Sequence, residues 1–158
     1  MSAVEVPTPR IADAANLAPE TYAAMLRLEK TFASGPLDHG LLELVKLRAS
    51  QINGCTFCIH LHVGRLLAHG EDPLRLHHLA GWHDSPLFTA RERAALLWCE
   101  SLTRVERTGA PDADYEAMRS QFTPAEQATL TFAIGAINLW NRFNVGLRTP
   151  PQMAPAGR

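Results

Sequence analysis

The sequence predicts an all-α fold: a single domain built as a bundle of about six to seven helices. Three observations lead there. Apolar residues recur at helical spacing in one segment after another. Helix start and stop signals bracket those segments. Valine and isoleucine are scattered, with no sustained period-two alternation of the kind that marks a strand. The 158 residues, 46% of them apolar, suit one domain that buries its own core without covalent staples.

Residues 1–15 carry no helical pattern and are expected to form a flexible N-terminus. Pro19 suits the first turn of a helix over 19–32, which Gly35 and Pro36 end. The next helix covers 37–53, with Leu41, Leu44, Val45 and Leu47 near one side and Gly54 as its C-terminal stop. A third runs from Thr56 to Ala68 and stops at His69-Gly70. Pro73 opens a short helix through "PLRLHHLAG". Thr89, with Glu92 three residues on, forms a capping box at the head of "TARERAALLWCESLTRV". Asp112 is expected to cap "ADYEAMRSQF". A second box, Thr123 with Glu126, has Pro124 at the first helical position and opens the longest apolar helix, which ends near Leu147. The domain thus spans 16–148, followed by a flexible tail over 149–158. No Gly/Ser linker or low-complexity block divides it.

Charge narrows the function classes. Fifteen Lys and Arg face sixteen Asp and Glu, interspersed, for a net charge of −1. That balance gives no footprint for nucleic acid or an anionic membrane surface. No run of about 18 apolar residues predicts a membrane span. The first twenty residues lack a basic stretch leading into an apolar one, so no signal peptide is expected and the location is read as cytoplasmic. Thiols are kept reduced there, which makes a CxxC pair catalytic or metal-binding rather than a static bridge.

That pair lies in "NGCTFCIHLH", residues 53–62. If Gly54 ends one helix, Cys55 caps the next and Cys58 sits in its first turn. A helix N-terminus favours an anion, and the thiolate is both an anion and the nucleophilic form of the side chain. The dipole contributes about 0.3–1 kcal/mol, less than the roughly 1.4 kcal/mol of one pKa unit. A proton acceptor is therefore needed as well. His62 lies four residues after Cys58 and shares its helical face. An imidazole takes protons readily near neutral pH. His60 points elsewhere and reads as solvated. A structural staple is a weak explanation, because closing so short a loop gains only about 2 kcal/mol. Zinc is the rival reading, with Cys55, Cys58 and His62 as ligands and His60, His77, His78 or His83 as a fourth. No second CxxC supplies the usual second ligand pair.

The stretch "ELVKLRASQINGCTFCIHLH" resembles the core of the carboxymuconolactone decarboxylase-like superfamily, and within it the alkyl hydroperoxidase D branch. Glu43, eleven residues, Cys55, two residues, Cys58, three residues and His62 reproduce that pattern at all four positions. "LFTARERAALLWCESLT" and "AINLWNRFNV" look like later helices of the same core, so the resemblance covers about residues 15–148. It implies an all-α fold assembled as trimers or hexamers, and peroxide reduction with no metal or organic cofactor. Cys58 would be the peroxidatic residue, Cys55 the proton donor and resolving partner, and His62 with Glu43 a proton relay. The oxidised pair would be reduced by an external dithiol: a lipoyl protein, a thioredoxin-like protein or a small thiol. Phe57 and His60 depart from the residues usual in the branch and bear on efficiency and partner choice. Decarboxylase members lack the cysteine pair, so lactone decarboxylation is not expected. The alternative is a non-catalytic or metal-binding oligomer of the same fold.

Other residues have plainer readings. Cys99, in "AALLWCESL", is read as a small buried hydrophobe. Trp82, Trp98 and Trp140 are candidates to line a substrate pocket and are read first as core or interface residues. His77 and His78 are read as a solvated helix edge. Arg142 is expected to pair with a carboxylate on a neighbouring helix or subunit.

Overall fold

A computed structural model describes residues 8–152. The expected flexible ends fall partly outside these, at 1–7 and 153–158. Among the described residues there are nine α-helices, one 3-10 turn and no strand. In chain order the helices are α1 Ala14–Leu17, α2 Pro19–Ala33, α3 His39–Asn53, α4 Thr56–Ala68, α5 Pro73–His78, α6 Ala90–Thr103, α7 Val105–Thr108, α8 Asp112–Arg119 and α9 Pro124–Leu147. The 3-10 turn, Leu79–Gly81, follows α5 directly. The two beyond the expected number are single turns, α1 and α7, too short to show an apolar period. Residues near the N-terminal edge of the domain are tied down: the Arg10 backbone and guanidinium donate to the carbonyls of Leu147 and Gly146 at 3.0 Å each.

The sequence signals place most helix starts. Both capping boxes form: Thr89 Oγ1 accepts from the Glu92 amide and the Glu92 carboxylate accepts from the Thr89 amide, and Thr123 and Glu126 repeat the arrangement. Asp38 caps α3 by accepting the Leu41 amide at 3.0 Å. The start of α8 is a correction. Pro111 is its N-cap, and Asp112 lies inside the first turn without a side-chain cap bond. There its negative charge still suits the helix dipole.

α3 is the hub, packed against α4, α6 and α9. Its apolar pattern suggests one buried side, but every residue from Leu41 to Ser50 is buried. Other helices enclose it, so Glu43, Lys46, Arg48 and Ser50 must find partners inside the protein. One core cluster joins α3 to α6 and α9 through Val45, Ala95, Leu130 and Ile134; a second joins it to α4 and α6 through Leu47, Leu66 and Leu96. Cys99 is fully buried, donates to the Val45 carbonyl at 3.3 Å, and burial pushes its thiol up to about 12.

Candidate active site

α3 and α4 are joined by two residues, Gly54 and Cys55. Gly54 has φ +67°, the left-handed conformation that glycine adopts without strain. The Cys55 amide then returns to the Ser50 carbonyl at 3.0 Å. Cys55 becomes the N-cap of α4, with its Sγ accepting from the Cys58 amide at 3.3 Å. Cys55 and Cys58 are joined as a disulfide, with Cα atoms 5.3 Å apart. Both are buried, at 1% and 2% exposure.

One turn along α4, His62 is also buried. Its Nδ1 lies 2.7 Å from Glu43 Oε2, which brings the Glu43 and His62 of the sequence pattern into direct contact across α3 and α4. Burial pushes the Glu43 carboxyl up. The hydrogen bond from His62, together with the charges of His62, Lys46 and Arg65, outweighs that and holds it below the ordinary carboxylate value. An ionised carboxylate only accepts, so Nδ1 carries the proton and Nε2 is left as the basic nitrogen.

Glu43 belongs to a larger charge cluster. Lys46 Nζ is 2.6 Å from Glu29 and 4.0 Å from Glu43, and Arg65 is 3.5 Å from Glu43. Trp140 Nε1 donates to the other Glu29 oxygen at 3.2 Å. A buried carboxylate is tolerated only with such compensation. His62, Lys46 and Arg65 therefore keep Glu43 ionised inside the protein, and Glu29 pairs with the same Lys46.

α9 closes the site. Asn53 Nδ2 donates to Asn141 at 2.8 Å and Asn138 at 3.0 Å, and Asn141 Nδ2 donates to Ser50 Oγ at 3.0 Å. These bonds pin α9 against the end of α3. One turn on, on the same face, Asn144 Nδ2 points at Cys58 Sγ at 3.5 Å. The sequence reading missed Asn144, and Glu29 and Lys46 with it. The only hint was a row of asparagines in an apolar helix.

A cavity of about 230 Å³ opens onto Cys58 and His62, walled by Phe57, Ile137, Trp140 and Asn144 and rimmed by Arg65 and Leu61. Trp140 is thus a wall residue here, whereas Trp82 and Trp98 are buried in the core. A second cavity of about 210 Å³ opens onto Cys55.

The other candidates fall elsewhere. His60, His77, His78 and His83 are exposed, and His83 stacks on Trp82. Among the described residues no group of three or more His, Cys, Asp or Glu is placed to hold a metal ion. Arg142 is exposed and reaches the Asn138 carbonyl and side chain of its own helix; among the described residues of this chain it meets no carboxylate on a neighbouring helix.

Comparison with known proteins agrees with the all-α fold. The carboxymuconolactone decarboxylase family matches residues 19–101, and the chain belongs to that family, in its alkyl hydroperoxidase D-like branch. It is 31% identical to YdfG, an uncharacterized protein of Bacillus subtilis, over 83% of this chain and 89% of that one. Among solved structures it is similar to ATU0492 of Agrobacterium tumefaciens, a protein of unknown function provisionally assigned as the antioxidant defence protein AhpD. The two share 39% identity with a TM-score of 0.89, over 93% of this chain and all of that one. An uncharacterized peroxidase-related protein of Silicibacter sp. TM1040 shares the fold at 22% identity and a TM-score of 0.79, over 91% of this chain and 76% of that one.

Proposed function

We propose that the protein is a thiol-dependent peroxidase and disulfide reductase that uses the CxxC pair and a Glu–His proton relay in antioxidant defence. The carrying observation is that Cys58 and His62 line one cavity, with Glu43 behind His62 at 2.7 Å from its Nδ1. In the reduced protein His62 Nε2 takes the Cys58 proton, and Glu43 holds the imidazolium. The start of α4 and the Asn144 amide stabilise the thiolate. Cys58 Sγ attacks the distal peroxide oxygen; the O–O bond breaks, and the leaving alkoxide takes a proton from His62 to depart as alcohol or water. Cys58 is left as a sulfenic acid. Cys55 attacks that sulfur, water leaves, and the disulfide forms. An external dithiol restores both thiols by exchange.

The same reading makes the protein a cytoplasmic homo-oligomer, a trimer or hexamer. No helix among the described residues is long and apolar enough to cross a membrane. A groove between α2, α8 and α9 exposes Phe132 at 68%, Leu139 at 47% and Tyr115 at 39%, an apolar face suited to a second copy.

A thiol count on the reduced protein tests the chemistry. One equivalent of peroxide should remove two thiols per chain, and Cys58→Ser should abolish the loss. Unchanged thiols, with zinc released stoichiometrically by a chelator, would establish the metal-binding alternative instead.

A further inference from the structure

Each cysteine of the pair lines its own cavity. Cys58 lines the one that holds His62, and Cys55 lines the other with Gly54 and Thr56. Phe57 and Asn144 line both and form the partition. The far wall of the Cys55 cavity comes from the turn that ends α9. Arg148 takes a left-handed φ of 55°, the Thr149 amide returns to the Asn144 carbonyl at 2.9 Å, and Pro150 and Pro151 follow against the Cys55 side.

The two sulfurs also differ as leaving groups. In thiol–disulfide exchange the thiol that ionises more readily departs faster. Cys58 Sγ has the Asn144 amide at 3.5 Å and shares a cavity with His62. Cys55 Sγ has the Cys58 backbone amide at 3.3 Å, and its cavity is lined by Arg148, a cation that does not exchange its proton near neutral pH as an imidazole does.

We infer that peroxide and reductant reach the pair from opposite sides, and that the reducing dithiol enters the Cys55 cavity and attacks Cys55 Sγ. This rests on the peroxidase reading for the oxidising half only. The reductant thiolate forms a bond to Cys55 Sγ as the Cys55–Cys58 bond breaks, and the electron pair leaves on Cys58 Sγ, which His62 then protonates. The second thiol of the reductant attacks the reductant sulfur of the mixed disulfide. Cys55 leaves as a thiolate and takes up the second proton, and the reductant departs as its own disulfide. Two electrons pass from dithiol to protein.

The attacked sulfur can be mapped on the wild-type protein without peroxide. The disulfide form is mixed with excess 2-mercaptoethanol and quenched with N-ethylmaleimide. Tandem mass spectrometry then assigns each label from fragments broken between Thr56 and Phe57. The expected product carries mercaptoethanol on Cys55 and maleimide on Cys58. The reverse labelling, or an even split, overturns the inference and leaves the peroxidase reading untouched; loss of peroxidase activity with the expected labelling does the converse. Two bulky substitutions at exposed positions give a second readout. Thr56→Trp should slow reduction by thiol at least fivefold more than oxidation by peroxide, and Leu61→Trp should show the opposite bias. Equal effects on both half-reactions from Thr56→Trp would also overturn it.

Discussion

Replacing Glu43 by glutamine keeps the shape of the site and removes one charge. The side chain still reaches His62 Nδ1, now 2.7 Å from the carboxylate. Lys46 keeps Glu29 at 2.6 Å, so no cation is stranded in the core and the fold should survive. What changes is the stability of the imidazolium. A hydrogen bond to a charged partner contributes about 1.5–3 kcal/mol and a neutral one about 1 kcal/mol. The substitution therefore costs the protonated relay about 0.5–2 kcal/mol, or about two- to thirtyfold in the oxidation rate of Cys58 near neutral pH. Stopped-flow tryptophan fluorescence can follow that step, since Trp140 walls the cavity onto which Cys58 opens. The deficit should shrink as the pH approaches about 8.5, where a thiol ionises without help. Equal rates at neutral pH, or a deficit that persists undiminished in alkali, would refute the relay.

Asn144→Ala removes the amide donor 3.5 Å from Cys58 Sγ. It should raise the pKa of the reduced thiol by about half a unit to one unit, read from the ultraviolet absorbance of the thiolate against pH; an unmoved titration would leave Asn144 a packing residue. Glu43, Glu92 and Glu100 are each pushed up by burial but held below the ordinary 4.5 by their partners: His62 for Glu43, Arg75 for Glu92, Trp82 and Arg48 for Glu100. Their folded values lie below the unfolded ones, so their contribution is complete above that pH and is lost as acid carries them through the folded values. The urea midpoint should be flat above about pH 6 and fall below 4.5; a midpoint that rises in acid would contradict the sign. Cys99, pushed up to about 12 by burial, should stay unlabelled. Alkylation of the reduced native protein should modify only Cys55 and Cys58, with the third thiol appearing in denaturant.

Helix starts were legible because capping residues and first-turn prolines act locally: Thr89, Thr123, Pro19 and Pro124 announce their helices within four residues. The four-residue pattern from Glu43 to His62 was legible too, since only the short joint at Gly54 separates its parts. Asn144 was not. Its sulfur partner is 86 residues away, and nothing local separates it from Asn138 or Asn141. Glu29 and Lys46 were not legible either, because their pairing depends on α3 being enclosed by other helices. Of the two partners expected for Arg142, the outward position leaves a neighbouring subunit rather than a neighbouring helix. Trp140 divides from Trp82 and Trp98 only once α2 and α9 are placed around the cavity.

The two-residue joint between α3 and α4 leaves the chain no slack. One residue inserted between Cys58 and His62, inside α4, would turn the imidazole by about 100° about the helix axis relative to the sulfurs. The ring would swing away from both the thiol it serves and a carboxylate fixed on α3. Spacing in this stretch is therefore as much a part of the chemistry as the identity of any one side chain.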